Sequence, residues 1–430
     1  MHYDCVILAD APDAFVNLCG ISILERLLRT LQRCGVTTAT IISSTPKLIS
    51  EALARPSRAR SQLDVRICRR SEELPTIEQI LELWPSAAQF ILLVRGDAVY
   101  DIRLLRLLVG SDSSATLVDS SVPQQFEPLV ASAPDAKAAK LCGAALLERE
   151  WICQQRGALD ESIRKGLEQG TMTSVDVAKQ PRYDPTLRRD LRPFWFLAPS
   201  ASNREFAERV LLDSVQKGSL DFPALIHAPI EKFVATRLCH TSITPHQLTI
   251  TWIIIACGTT ICFALGHLVW GIVLALIVGL IDGLDGKQAR IKIETSESGK
   301  LEHRFDSLFE VAWPTALAYY FYSSGQLPGA FVYLALLLVA EALDGIGKAG
   351  VYSTSEKLMD RPGPFDRVVR LVGGRRNIYI WVVAVAVLLG ASAKSLIVMA
   401  WWEALTAGVD LAQAGWSLRL LQRKNLPQSS

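Results

Sequence analysis

The segment Asp282-Gly-Leu-Asp-Gly-Lys-Gln-Ala-Arg290 closes a stretch, Thr241 to Ile281, of 41 residues without one Asp, Glu, Lys or Arg. A helix that spans a bilayer needs about 20 mostly apolar residues. The stretch therefore holds two such helices, with Gly266-His267 as the turn between them, and the acidic segment marks the end of the second. Two more uncharged runs follow, 30 residues from Val311 to Ala340 and 17 from Asn377 to Ala393. Six spans are expected, at about 248–266, 270–290, 301–322, 328–347, 376–392 and 395–418. The sixth is interrupted by Glu403 and Asp410.

Outward from this segment the chain is unlike itself. Over all 430 residues it is 50% hydrophobic and 20% charged, with a mean hydropathy of +0.24. The net charge of +2 argues against a nucleic-acid binder. The nine cysteines form no CxxC pair, a pattern of reduced thiols rather than of a disulfide framework or a zinc site. Met1-His-Tyr-Asp-Cys5 opens with no basic start before an apolar run, so no signal peptide is expected. In 244–430, 15 of the 16 Lys and Arg residues fall on one side of a six-span layout, and only Lys394 falls opposite. The positive-inside rule makes that side cytoplasmic, in a multi-pass protein of the cell (inner) membrane.

The region before about residue 240 alternates short β-rich runs (Cys5-Val-Ile-Leu8, Thr40-Ile-Ile42, Val65-Arg-Ile-Cys68, Phe90-Ile-Leu-Leu-Val94) with helix-like stretches such as Ile23–Cys34 and Ile77–Trp84. Strands alternating with helices predict βαβ units and a mostly parallel sheet. Residues 1–200 are read as this α/β domain and 201–243 as a connector ending in an amphipathic helix, Ala224–Leu238, at the membrane surface. Residues 244–420 form the membrane domain and 421–430 a cytoplasmic tail.

Asp282 and Asp285 stand i,i+3 at the end of the second span, and Glu302 and Asp306 stand i,i+4 at the start of the third. Two neighbouring helices would thus gather four carboxylates, which repel unless a hard divalent cation joins them. Gly283, Gly286, Ala289 and Gly299 leave the backbone open to a ligand. The bland alternative is a solvated loop in which Lys287, Arg290, Lys292, Lys300 and Arg304 pair with the acids.

The string resembles the signature of the CDP-alcohol phosphatidyltransferases, D-x-x-D-G-x-x-A-R, eight residues, G-x-x-x-D-x-x-x-D. Asp282, Asp285, Gly286, Ala289, Arg290 and Gly299 match it in type and spacing. Thr244-Pro-His-Gln-Leu-Thr249 is similar to the family's T-P-N-x-x-T, with His246 in place of Asn, and the resemblance covers about residues 220–420. The third and fourth aspartates would fall at His303 and Ser307; deleting one residue after Gly299 aligns Glu302 and Asp306 instead, the register preferred here.

The resemblance implies transfer of a phospho-alcohol group from a CDP-activated alcohol, CDP-diacylglycerol or a CDP-polyol, to the hydroxyl of a polar or phosphorylated alcohol, with release of CMP. It implies Mg2+ or Mn2+ held by Asp282, Asp285, Glu302 and Asp306, with Asp306 also the general base. Gly283, Gly286, Lys287, Ala289, Arg290 and Gly299 would lie against CDP, and Arg370, Arg375 and Arg376 would meet an anionic acceptor. A homodimer in the bilayer is expected. The alternatives are a membrane scaffold with decayed sites, or a bifunctional enzyme that keeps cytidylyltransferase activity.

In the N-terminal region Val94-Arg-Gly-Asp97-Ala-Val-Tyr-Asp101, with Leu24–Val36, resembles the sugar-phosphate nucleotidyltransferase fold (a Rossmann-like α/β domain), in which an aspartate placed like Asp97 binds Mg2+. That family holds its triphosphate on a basic, glycine-rich loop after the first strand. Here Ala9–Gly20 has no basic residue and carries Asp10 and Asp13, which would repel a triphosphate. The arrangement resembles inositol-phosphate cytidylyltransferase fused to di-myo-inositol phosphate phosphate synthase, with a degenerate first domain.

Overall fold

The computed structural model describes residues 3–54, 57–70, 76–84, 88–136, 138–218, 222–294, 298–355 and 364–424, with the side chains of a few of them left aside. The strands of the main sheet are β1 (Tyr3–Leu8), β2 (Val36–Ser43), β3 (Asp64–Arg69), β4 (Phe90–Arg95), β6 (Ala115–Asp119), β7 (Ala139–Glu148) and β8 (Thr173–Asp176). Their spatial order is β8-β6-β7-β4-β1-β2-β3. The pairs β1–β2, β1–β4 and β2–β3 are parallel, while β7 runs antiparallel to both β4 and β6. Side chains alternate across the sheet as a pleat requires. Cys5, Ile7, Ala39, Ile41, Leu92 and Val94 join one core with Leu24, Leu27, Leu28 and Leu31 of helix α1 (Ile23–Arg33). Val6, Ile42, Ile91 and Leu93 join the other, against Ile77, Ile80 and Trp84. Both faces are covered, which is why these strands read as nearly continuous apolar runs.

The segment after residue 190 is more built than its prolines suggest. β9 (Trp195–Leu197) pairs antiparallel with β5 (Ala98–Tyr100), and Trp195, Phe196 and Leu197 are buried. In helix α2 (Arg204–Ser214), Ala207 and Leu211 enter the same core as α1. This part of 201–243 is thus packed against the α/β domain. Helix α3 (Phe222–Leu238) follows, close to the expected juxtamembrane helix. Its outer face is apolar, with Phe222, Leu225, Ile226, Ile230 and Phe233 exposed, while the side chains of His227 and Glu231 turn inward. That polarity suits a helix bathed in lipid rather than water.

The membrane half consists of α4 (Pro245–Ala264), α5 (Leu268–Ile291), α6 (Ser298–Ser323), α7 (Ala330–Ser355), α8 (Arg376–Leu388) and α9 (Lys394–Lys424), with a nine-residue helix, Pro364–Val372, before α8. Thr244 caps α4 through a capping box. Its hydroxyl accepts from the Gln247 amide at 3.3 Å, the Gln247 side chain accepts from the Thr244 amide at 3.0 Å, and Pro245 fills the first turn. The chain turns between α4 and α5 at Gly266, whose φ of +80° lies in the left-handed region.

Among the described residues four helices are long and apolar enough to cross a membrane: Pro245–Ala264, Leu268–Ile291, Ala330–Ala349 and Lys394–Trp416. The sequence-based count of six is not reached. The first half of α6 carries Lys300, Glu302, Arg304, Asp306 and Glu310, and α8 has only 13 residues. The helices pack on Trp252, Phe263, Trp313, Phe321, Tyr379 and Met399, with the Phe263 and Trp313 rings 5.8 Å apart. Outward they show Ile254, Ile261, Val269, Trp270 and Leu388.

Candidate active site

The acidic segment forms the last turns of α5, and its two aspartates diverge. Asp282 reaches α8, where its Oδ2 lies 2.7 Å from Arg376 Nη2. The same guanidinium pairs through Nη1 with Asp306 of α6. The Arg376 side chain is only 10% exposed, between carboxylates at 29% and 30%, and its charge lies 5.6 Å from the centre of the Phe309 ring. Carboxylates 24 positions apart thus meet on one cation brought by a third helix. Asp285 points elsewhere. It is 2% exposed, and its Oδ2 accepts from the Thr249 hydroxyl at 3.0 Å. The two threonines of the Thr244–Thr249 stretch therefore have separate tasks, one capping α4 and the other holding Asp285.

The glycine side of α5 is covered from within the chain. A Cβ at Gly283 would lie 2.6 Å from Glu231 Oε1 of α3, so glycine is what admits that carboxylate. Glu231 in turn holds Lys287 at 2.6 Å, both side chains nearly buried. The Arg290 guanidinium lies over Gly286, and Arg290 Nε donates to the Val215 carbonyl at 2.9 Å. Ala289 is half-buried on the same turn. Glu231 escaped the sequence reading because it sits on a helix read only as an amphipathic one at the membrane surface.

Gly299, Glu302 and Arg370, all expected at the site, fall outside the residues whose side chains are described. Among the described residues no three His, Cys, Asp or Glu side chains stand grouped for a metal ion. Two of the four expected carboxylates, those of Asp282 and Asp306, do converge on a single positive charge. That hard-oxygen pair fits a divalent cation in donor chemistry.

Beside Arg376 lies a second polar set. Arg375 is half-buried and precedes α8, and the loop before it is tied to α9. The Gly374 amide donates to the Thr406 hydroxyl at 2.9 Å, and Trp402 Nε1 donates to the Val372 carbonyl at 2.8 Å. The Tyr379 hydroxyl donates to Glu403, whose carboxylate occupies the space a side chain at Gly374 would need. Lys348 pairs with Asp344 and lies 3.9 Å from Asp410. Carboxylates inside apolar helices are costly unless paired, and the charges that interrupt the sixth apolar run are the signal that could have found this set.

In the α/β domain, Asp97 is gripped by Arg95, with Nε at 2.9 Å from one oxygen and Nη2 at 2.6 Å from the other. Asp10, beyond the end of β1, accepts from the Ser44 amide and hydroxyl, each at 2.7 Å, and pairs with Arg70 at 2.7 Å. Burial pushes the Asp10 carboxyl up, but these hydrogen bonds and Arg70 together hold it below the ordinary aspartate value. Asp10 is thus matched by a positive charge already in place.

Residues 242–409 match the family model of CDP-alcohol phosphatidyltransferase, so the chain carries a domain of that transferase family. The α/β domain has solved neighbours. The inositol-1-phosphate CTP transferase from T. maritima is 11% identical, covers 48% of this chain and 95% of its own, and gives a TM-score of 0.35. HddC from Yersinia pseudotuberculosis is 14% identical, covers 48% of this chain and 98% of its own, and gives a TM-score of 0.34. No curated protein matches the chain.

Proposed function

We propose that the membrane half transfers a phospho-alcohol group from CDP-diacylglycerol or a CDP-polyol to the hydroxyl of a polar or phosphorylated alcohol, releasing CMP, in phospholipid or polyol-phosphate synthesis. The observation that carries the reading is the pair Asp282 and Asp306, set on two helices and drawn to one cation within the region that matches the family. Asp306 takes the acceptor's proton as the new P–O bond forms and the bond to the CMP phosphate breaks, the electron pair leaving with CMP. Arg376 keeps the two carboxylates at one charge's distance from each other, and Arg375 and Arg370 are the residues assigned to an anionic acceptor. Lys287 and Arg290 stand on the turn after Asp285, where Glu231 and the Val215 carbonyl hold them, and they would leave those partners to meet the diphosphate. Mg2+ or Mn2+ would neutralise that diphosphate, with Asp282 and Asp306 as its convergent pair; Asp285, which would have to turn from Thr249, and Glu302 are the further ligands the family signature implies. The Lys and Arg bias supports a cytoplasmic site in the inner membrane, and the locked Asp97 supports a non-catalytic α/β domain.

The direct experiment is CMP release by the purified full chain from CDP-diacylglycerol or CDP-inositol with Mg2+ or Mn2+. No turnover with either donor and either metal, in protein shown to be folded, would sink the reading. Thr249→Val removes the hydroxyl that donates to Asp285 and is expected to lower turnover about tenfold, the effect of about 1.4 kcal/mol. Thr249→Ser keeps the hydroxyl and stays near wild type; equal losses in the two variants would assign Thr249 to packing instead.

A further inference from the structure

The end of α5 is closed by the other domain. The chain leaves this helix with Ile293 at φ 53°, the left-handed region usually taken by glycine and unfavourable for a β-branched residue. The Glu294 amide bonds back to the Ala289 carbonyl at 2.8 Å, the Ile293 amide to Arg290 at 3.2 Å and the Lys292 amide to Gln288 at 3.0 Å. This is a Schellman ending, and among the described residues no backbone N–H donates to the carbonyls of Ile291 and Lys292. Both are taken by arginines of α1. Arg26 Nη1 donates to the Ile291 carbonyl at 2.7 Å, and Arg29 Nη1 donates to the Lys292 carbonyl at 2.6 Å.

Neither arginine is a surface residue that happens to reach. Arg26 is 5% and Arg29 8% exposed. Arg26 is also tied to the Leu18 carbonyl at 3.1 Å, and Arg29 to Glu25 at 2.9 Å. Ile291 itself is buried in the hydrophobic core of the α/β domain. Two cations at a helix C-terminus also suit its partial negative charge.

We propose that the α/β domain serves the membrane half as a clamp, with Arg26 and Arg29 as positioning residues that fix the end of the helix carrying Asp282 and Asp285. The catalytic consequence rests on the transferase reading; the mechanical one does not.

The test compares the full chain in lipid nanodiscs with its Arg26→Ala/Arg29→Ala and Arg26→Lys/Arg29→Lys variants. Hydrogen exchange is followed over residues 288–294, and kcat and KM are measured by CMP release. In the alanine pair the amides of Lys292, Ile293 and Glu294 are expected to exchange about tenfold faster, and kcat to fall about tenfold with KM for the CDP donor within about twofold. The lysine pair, which keeps charged donors, should recover most of both. Exchange and kcat within about twofold of wild type in the alanine pair overturn the clamp, as does a lysine pair no better than alanine, which would mark plain packing. If the alanine pair fails to fold, the lysine pair and the single Arg29→Ala variant decide on the same readings. Faster exchange in a protein whose wild type releases no CMP upholds the clamp and sinks only the transferase reading.

Discussion

Asp285→Asn is expected to reduce CMP release by about a hundredfold or more, the scale on which removing one preorganised charge acts. The change is nearly isosteric. The Thr249 hydroxyl can still donate to the amide oxygen, so the helix should fold and pack as before. What is lost is a full negative charge at a site 2% exposed, where no solvent makes up for it. Asp306→Asn should do as much by a different route, since it removes both the proton acceptor and one arm of the Arg376 bridge. The measurement is turnover of the purified variants with Mg2+ or Mn2+, beside a check of folded yield. If both variants keep full activity, the acidic segment is not the reacting centre.

Arg376→Ala should give the largest combined effect on stability and activity. Asp282 and Asp306 would then face each other with no cation between them, and the Phe309 ring would lose its charge partner. Breaking a buried pair by deleting one partner costs about 3–5 kcal/mol, and the partial exposure of both carboxylates puts the expectation at the lower end. The thermal midpoint should fall by several degrees without added metal and recover in part with Mn2+, because the freed carboxylates can take a cation. Turnover should drop about a hundredfold even where stability recovers, since an ion restores charge but not the bidentate geometry of a guanidinium. An unchanged midpoint, or a loss that Mn2+ does not touch, would show that the two aspartates do not form one site.

The α/β half was legible because its strands are buried on both faces. Runs such as Phe90–Val94 can hardly be anything else when turn residues bound them. The pairing of Trp195–Leu197 with Ala98–Tyr100 was not, because it joins segments nearly a hundred positions apart through a proline-rich stretch that locally reads as a linker. In the membrane half the acidic spacing put Asp282 and Asp285 on one helix face, yet i,i+3 neighbours stand about 60° apart around a helix axis. That offset sends Asp282 toward α8 and Asp285 toward α4. Arg376, expected to meet an anionic acceptor, stands between Asp282 and Asp306, an arrangement with no local trace in the chain. The short span count has a plain cause too. The first half of α6 is charged, and α8, though apolar, has only 13 residues.

Cys239, at the end of α3, lies in the same core as Ile291 and the strands of the α/β domain, with the turn at Gly20 packed against its carbonyl. The point where the composition changes, near residue 240, is therefore not a seam. An exchange of first domains between relatives would have to carry α3 and the ending of α5 along with it. Otherwise the exposed ends would reach the bilayer with no partner. Two regions that could be catalogued as separate parts share one core, residue against residue.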